Sequence, residues 1–142
     1  MTSQNFKNHR RYIPLWHFIV PLIMLALIIG SIVNLVNASK DAFYSAALLV
    51  VIAAVLPIFY VYTRYFALLA QDRAIRAEEN LRHYILTGKP LNKELRMGQI
   101  IALRFANDEE FPALAKKALE EKMGQKRIKA SISSWKADHH RV

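Results

Sequence analysis

The sequence predicts an all-α protein: a transmembrane helical hairpin whose second span continues into the cytoplasm, followed by a small bundle of about three helices. Two observations predict this fold. Two long apolar runs, residues 14–36 and 42–63, contain no Asp, Glu, Lys or Arg, and about 20 such residues are enough for a helix to cross the hydrocarbon core of a bilayer. The remaining sequence shows helical spacing of apolar residues and no alternation typical of strands.

Composition divides the chain into four consecutive parts. We expect a basic cytoplasmic segment, a hairpin with spans at about 14–36 and 42–66, a cytoplasmic extension of the second helix, and a small helical cytoplasmic domain. The predicted boundaries of these parts are 1–13, 14–69, 70–88 and 89–142. The polar half that follows the spans is long enough for a small helical domain with a thin core.

The distribution of charge predicts the topology of the hairpin. The formal net charge is +9, and basic residues flank both outer ends of the spans, whereas the loop at 37–41 has no net charge. Because Lys and Arg collect on the cytoplasmic side of membrane proteins, we expect both termini in the cytoplasm. A cleaved signal peptide over residues 1–38 is the alternative, but the apolar core of such a peptide is about 7–15 residues long and the run here is about 22.

Aromatic residues stand at the cytoplasmic ends of both spans. Amphipathic rings prefer the headgroup level of a bilayer, and a long basic side chain near a span end directs its charge to the interface. We therefore predict membrane-interface anchors at the following positions: Tyr12, Trp16, Tyr60, Tyr62, Arg64 and Tyr65.

Small residues recur at four-residue spacing inside the spans. Ala26 is followed by Gly30, and Ala42 by Ala46. Small side chains let helix backbones approach closely. The pattern suits two spans that pack on each other or on a partner.

The polar half predicts one continued helix and three shorter ones. No helix breaker occurs between the second span and Gly88, so the span is expected to continue to about Leu86 with Gly88 as its C-cap. A short helix is expected at about 97–106. A second is expected to begin at Asn107 or Asp108, with three acidic residues in its first turn, and to be stopped by Gly124 after Met123.

The last predicted helix runs from about 126 to 137. Ile128, Ile132 and Trp135 lie on one face of it. Two interpretations stay open at this point. The face packs on the preceding helices as a core, or it lies on the anionic inner leaflet with Trp135 as an anchor.

Four blocks of the sequence resemble a known family. They read QNFKNH at 4–9, QDRAIRAEENLRH at 71–83, LRFANDEEFPAL at 103–114 and WKADHHRV at 135–142. Together they are similar to a family of small two-span bacterial membrane proteins known only as a domain of unknown function. The resemblance implies a compact protein of the bacterial inner (cytoplasmic) membrane, and it implies no activity, ligand or catalytic residue.

No motif in the sequence predicts catalysis, a cofactor or a metal site. Cysteine is absent, which excludes thiolate chemistry and disulfides. We therefore expect a non-enzymatic scaffold or an accessory subunit of a membrane complex, with the lipid bilayer and a protein, or a second copy, as partners. One alternative is a homo-oligomeric channel or small transporter. Another is an enzyme acting on a membrane-bound substrate through His17, His83, His139 or His140. Nucleic acid is not expected as a partner, and the sequence identifies no small-molecule substrate.

Two polar segments are the candidate interaction surfaces. The first lies on the long helix and is dense in charge of both signs. The second lies at the start of the helix that follows residue 107. A solvated helix face and an ordinary helix cap are the respective alternatives. The candidate residues are Arg73, Arg76, Glu78, Glu79, Arg82 and His83 in the first segment, and Arg104, Asp108, Glu109, Glu110 and Phe111 in the second.

Overall fold

The computed structural model of the protein describes residue 5 and residues 12–138. This part of the chain forms five α-helices, preceded by a π-helical turn over Leu15–Ile19. The helices are α1 (Val20–Val36), α2 (Phe43–Thr87), α3 (Met97–Leu103), α4 (Phe111–Glu120) and α5 (Gln125–Ala130). Over the described ranges, β structure is limited to an isolated bridge between Ala106 and Trp135. The predicted all-α class is confirmed.

The chain divides into two compact units. The first, Arg11–Phe66, contains the π-helical turn, α1 and the N-terminal part of α2. The second contains Ala67–Val142, and with it the rest of α2 and the three short helices. Most of the predicted basic segment 1–13 lies outside the described residues.

Both helices of the first unit are long and apolar enough to cross a membrane, judged by length and composition. The first apolar helix runs over Leu15–Val36 and has 22 residues, and α2 has 45. Most of their large apolar side chains are exposed, among them Phe18, Leu22 and Phe59.

The packed faces of the hairpin follow a regular spacing of three and four residues. The buried or half-buried positions are Val20, Pro21, Met24, Ile28, Ser31 and Leu35 on α1, and Ala46, Ala47, Val50, Ala53, Pro57, Tyr60 and Arg64 on the hairpin part of α2. This spacing is typical of left-handed helix pairs. At the end of the hairpin, the Trp16 and Tyr60 rings stack with centroids 4.5 Å apart, and the Tyr60 hydroxyl donates to the Trp16 carbonyl at 2.5 Å.

The small residues that bring the two helices together are only partly the predicted ones. Ala46 and Ala53 are each 2% exposed, whereas Ala26, Gly30 and Ala42 are exposed. Ala26 and Gly30 therefore do not pack the two spans on each other, and their packing on a partner, the other alternative, stays a prediction. Their four-residue spacing fits a helix face, but the seven-residue spacing from Ala46 to Ala53 is the one that keeps small residues on the contact line.

The long helix α2 ends where its sequence predicts. It continues to Thr87, and Gly88 follows with φ +71° and donates its N–H to the Tyr84 carbonyl at 2.8 Å. A left-handed residue after the last turn is favourable for glycine, which has no Cβ to clash.

The core of the second unit collects apolar side chains from all of its helices. Ile75 comes from α2, Ile100 and Leu103 from α3, Phe111 from α4 and Ile128 from α5. Because Ile128 is fully buried, α5 packs as part of the core. Of the two interpretations of the last helix, the core is the one that the structure supports.

Two of the predicted helices are shorter than expected because distant contacts end them. α3 stops at Leu103 instead of 106, and α5 stops at Ala130 instead of 137. Residues after Ser131 run back along the segment that follows α3, where Lys136 N–H donates to the Phe105 carbonyl at 2.8 Å. Trp135 therefore lies on no helix face. Its ring stacks on Phe105 with centroids 4.7 Å apart.

Both ends of α4 also differ from the prediction. The helix begins at Phe111, so the acidic residues 108–110 form the turn before it instead of its first turn. It ends at Glu120, and Lys122 takes the left-handed conformation with φ 49°. Lys122 N–H donates to the Leu119 carbonyl at 3.1 Å and Met123 N–H to the Ala118 carbonyl at 2.9 Å. This pair of bonds is a Schellman motif, which stops the helix before Gly124 is reached.

Candidate functional site

The two candidate segments meet in one network around Arg82, which projects from α2. Its guanidinium donates to Asp108 Oδ1 at 2.6 Å, to Glu79 Oε2 at 3.0 Å and to the Ala106 carbonyl at 2.7 Å. It also lies 4.4 Å from the centre of the Phe111 ring. A planar guanidinium with five donors suits such a convergence of acceptors. Arg82 thus fastens α2 to the segment between α3 and α4.

His83 supports the other side of the same contact. Its Nδ1 lies 2.7 Å from the Lys89 carbonyl, and its ring meets Phe111 edge-on at 5.9 Å. A carbonyl oxygen only accepts, so Nδ1 carries the proton of this hydrogen bond. The Phe111 ring is therefore held between Arg82 and His83, and Nδ1 of His83 is engaged by a backbone carbonyl.

Glu110 joins the turn before α4 to the chain after α5. Its carboxylate accepts from the Ser133 N–H at 3.1 Å, the Ser133 hydroxyl at 2.7 Å and the Ser134 N–H at 3.1 Å. Burial alone would raise the pKa of Glu110, but the hydrogen bonds from Ser133, Ser134 and the Asn107 backbone outweigh it and hold the pKa below its usual value. The charged form is the one that this arrangement favours.

Arg104 is buried beside the last described residues. It forms an ion pair with Asp138, and its guanidinium lies 5.4 Å from the centre of the Phe105 ring. Seven of the eleven candidate residues therefore contact other residues of the same chain: Glu79, Arg82, His83, Arg104, Asp108, Glu110 and Phe111. The other four candidates are exposed and have no ion pair or side-chain hydrogen bond to any described residue: Arg73, Arg76, Glu78 and Glu109.

Two open clefts border α2 in the second unit. One, of about 760 Å³, is lined by Arg73, Arg76, Lys93 and Glu94 among others. The other, of about 440 Å³, is lined by Glu78, Glu79, Arg104, Lys136 and Asp138 among others. Both hold charges of mixed sign. Among the described residues, neither cleft is lined by a histidine, serine, threonine or tyrosine.

The predicted interface anchors form two aromatic groups in the hairpin unit. Trp16 and Tyr60 stack on each other, and Tyr12 lies edge-on to His17 at 5.7 Å. Tyr62 and Tyr65 contact each other and Phe66 at ring separations of 5.7–6.3 Å. Arg64 is half-buried. The predicted residues thus contact one another or neighbouring rings near the start of the first helix and near the middle of α2, and their anchoring role stays a prediction.

Several polar side chains in the hairpin bond to the backbone carbonyl three or four residues before them. The hydroxyls of Ser31, Ser45 and Thr63 donate to the carbonyls of Ile28, Ala42 and Phe59 at 2.7–2.9 Å. His17 Nδ1 lies 3.0 Å from the Ile13 carbonyl. His139 and His140 lie outside the described residues. Within residue 5 and residues 12–138, no group of three or more His, Cys, Asp or Glu side chains could hold a metal ion.

Comparison with known proteins identifies a family and no characterised relative. No curated protein matches the chain, and no solved structure matches it. A family model described as a family of unknown function, DUF6526, matches residues 1–142, the whole chain. The resemblance to a family without a known function is confirmed: the chain belongs to DUF6526.

Proposed function

We propose that this protein is an integral protein of the bacterial cytoplasmic membrane that acts as a non-enzymatic scaffold or accessory subunit. Its hairpin crosses the bilayer, both termini lie in the cytoplasm, and the second unit is the part that meets other proteins. The family resemblance supports the bacterial source, and the basic flanks of the hairpin support the orientation.

The exposure of the apolar helices is the observation that carries the proposal. Only 6% of the most apolar stretch of Leu15–Val36 is buried, and 11% of that of α2. A core helix of a soluble protein would bury such a stretch, because exposed apolar patches larger than a few hundred Å² mark an interaction or membrane surface. Lipid is the environment that covers the remaining exposed apolar surface of such a hairpin.

The internal contacts of the second unit support a scaffold rather than an enzyme. The strongest charge cluster, around Arg82, is used to fix α2 to the segment before α4. An arrangement of this kind holds a domain in a defined position. Arg76 and Glu109, which are exposed and form no ion pair with any residue among 12–138, are left as contact points for a partner.

The first experiment is extraction from native membranes. The full chain should stay in the membrane fraction after an alkaline wash, and a mild detergent should then release it together with foreign subunits in fixed stoichiometry. Release by the alkaline wash would overturn the membrane proposal. A detergent extract that contains only copies of this chain would overturn the accessory role.

A pair of matched variants tests where the partner binds. Arg76→Glu reverses an exposed charge on α2, and we expect it to reduce the amount of co-purified subunit. Lys117→Glu makes the same change at an exposed position of α4 and should leave the amount unchanged. Equal amounts of co-purified subunit with both variants would show that Arg76 is not part of the contact surface.

A further inference from the structure

The outer face of α2 in the second unit exposes large apolar side chains. Leu81 is 58% exposed, Tyr84 55% and Ile85 72%. These residues belong to the charged second half of the helix, beyond the apolar stretch that would meet lipid. Clustered exposed apolar side chains of this kind mark an interaction surface.

The exposed residues form a stripe with the spacing of a coiled-coil seam. Ala74, Ala77, Leu81 and Tyr84 are separated by three, four and three residues, and all four are exposed. The same helix packs on its own unit through a different face, which carries Ile75, Glu79 and Arg82. Apolar residues at alternating three- and four-residue intervals are the a and d positions of a heptad.

The charges beside this stripe complement each other between two copies. In the heptad frame Arg73 takes position g and Glu78 position e, five residues apart. In a parallel pair of helices, g of one copy meets the following e of its partner. Arg73 and Glu78 have no ion pair with any residue among 12–138, so both charges are available for this contact.

We propose that two copies of this chain pair in parallel through the outer face of α2, with Leu81 at the centre of the seam and Arg73 of each copy facing Glu78 of the other. The inference rests on the proposed membrane insertion. Two copies inserted in the same direction carry α2 out of the bilayer in parallel and at the same height, which sets the register that the charges require. A different protein would have to supply a matching register and the opposite charges by itself.

The absence of cysteine makes the proposal directly testable in native membranes. The chain has no Cys, so a single substitution reports one position. Residues at a central a position of a parallel pair lie within the Cα separation of about 4.4–6.8 Å that a disulfide spans. Mild oxidation should therefore convert Leu81→Cys to a disulfide-linked dimer. Arg76→Cys, an exposed position on another face of α2, is the matched control and should stay monomeric.

Exchanging the charges of Arg73 and Glu78 tests whether a second copy of the chain covers the outer face of α2. In the Leu81→Cys background, Arg73→Glu places like charges opposite each other, and we expect the initial rate of cross-linking to fall by about tenfold. Adding Glu78→Arg exchanges the two charges, restores the complementary pairs and should restore the rate. Rescue by the double exchange is not expected if the charges serve only the fold of one copy.

Three outcomes would overturn the pairing. They are an absence of dimer for Leu81→Cys in membranes, equal cross-linking of the Arg76→Cys control, and a disulfide-linked product that contains a foreign protein. The membrane proposal is judged separately by the alkaline wash of the same samples. A chain that stays in the membrane fraction without cross-linking contradicts only the pairing, whereas a chain released by the wash contradicts the insertion on which the pairing rests.

Discussion

Glu110 binds the chain after α5, in a stretch where the sequence predicts that the helix continues. Its carboxylate binds the backbone N–H groups of Ser133 and Ser134, and these hydrogen bonds lower its pKa against the opposing effect of burial. A group with a lowered pKa stabilises the fold fully above its ordinary value of 4.5. That contribution is lost as the pH falls through the lowered pKa, because the carboxylate must then bind a proton.

Replacing Glu110 by Gln should lower the free energy of unfolding by about 1 kcal/mol at pH 7. The difference from the original protein should shrink as the pH falls below 4.5 and through the lowered pKa of Glu110, because the carboxylate then becomes protonated and loses its charge. Chemical unfolding of the full chain in detergent, followed by Trp135 fluorescence in a Trp16→Phe background, measures both values. Glu109→Gln, at an exposed neighbour, should change the free energy by less than about 0.5 kcal/mol. A pH-independent loss for Glu110→Gln would contradict the role of the charge.

Lys122 holds a backbone conformation that favours glycine. Its φ of 49° lies in the left-handed region, where a Cβ is unfavourable. Lys122→Gly should therefore raise the free energy of unfolding by about 0.5–1 kcal/mol, whereas Gly88→Ala at φ +71° should lower it by a similar amount. Thermal unfolding of both variants in the same detergent tests the sign. A lower free energy of unfolding for the Lys122→Gly variant would contradict this prediction. It would show that contacts of the lysine side chain stabilise the fold by more than the left-handed backbone conformation destabilises it.

At the scale of elements, Arg82 decides whether α2 stays attached to the segment before α4. Truncating it to Ala removes three hydrogen bonds and the contact with Phe111, and leaves the buried Glu79 without its partner. We expect the free energy of unfolding to fall by about 2–3 kcal/mol. Arg76→Ala, on the exposed side of the same helix, should change it by less than about 0.5 kcal/mol. Equal effects of the two variants, again by chemical unfolding, would contradict the attachment.

The elements that local composition controls could be predicted from the sequence, and those that distant contacts control could not. Length and apolar composition are enough for α1 and for α2, and Gly88 is enough for the end of α2. The spacing of Ile128, Ile132 and Trp135 fits a helix equally well whether or not the helix continues. α5 ends because Glu110 binds Ser133, 23 residues away, and a local pattern carries no information about that contact.

The candidate site follows the same division. Its charged residues are visible in the sequence as two dense segments, but the bond from Arg82 to Asp108 joins residues 26 positions apart. Whether such a charge faces a partner or its own chain depends on the fold of the short helices. The exposed apolar stripe at Leu81 and Tyr84 does have a local signal, the heptad spacing, but the denser charges of the same segment obscure it.

At the scale of the whole molecule, the proposed hairpin predicts which parts of the chain share a side of the membrane. A hairpin that crosses the bilayer with two spans would put the loop at 37–41 and the chain beyond Phe66 on opposite sides. In a chain without cysteine, Ser39→Cys should therefore react with a membrane-impermeant thiol reagent on intact cells, while Ser131→Cys, exposed at the end of α5, should react only after the membrane is opened.

The pattern of labelling separates the possible topologies. Equal labelling of both positions in intact cells would contradict a hairpin, because it would place the loop and the second unit on one side. Labelling of Ser131→Cys alone would invert the orientation predicted by the positive flanks. Labelling of Ser39→Cys on a chain shortened at its N-terminus would instead indicate a cleaved signal peptide, so the mass of the labelled product is measured alongside. A full-length product labelled only at Ser39→Cys is the expected result.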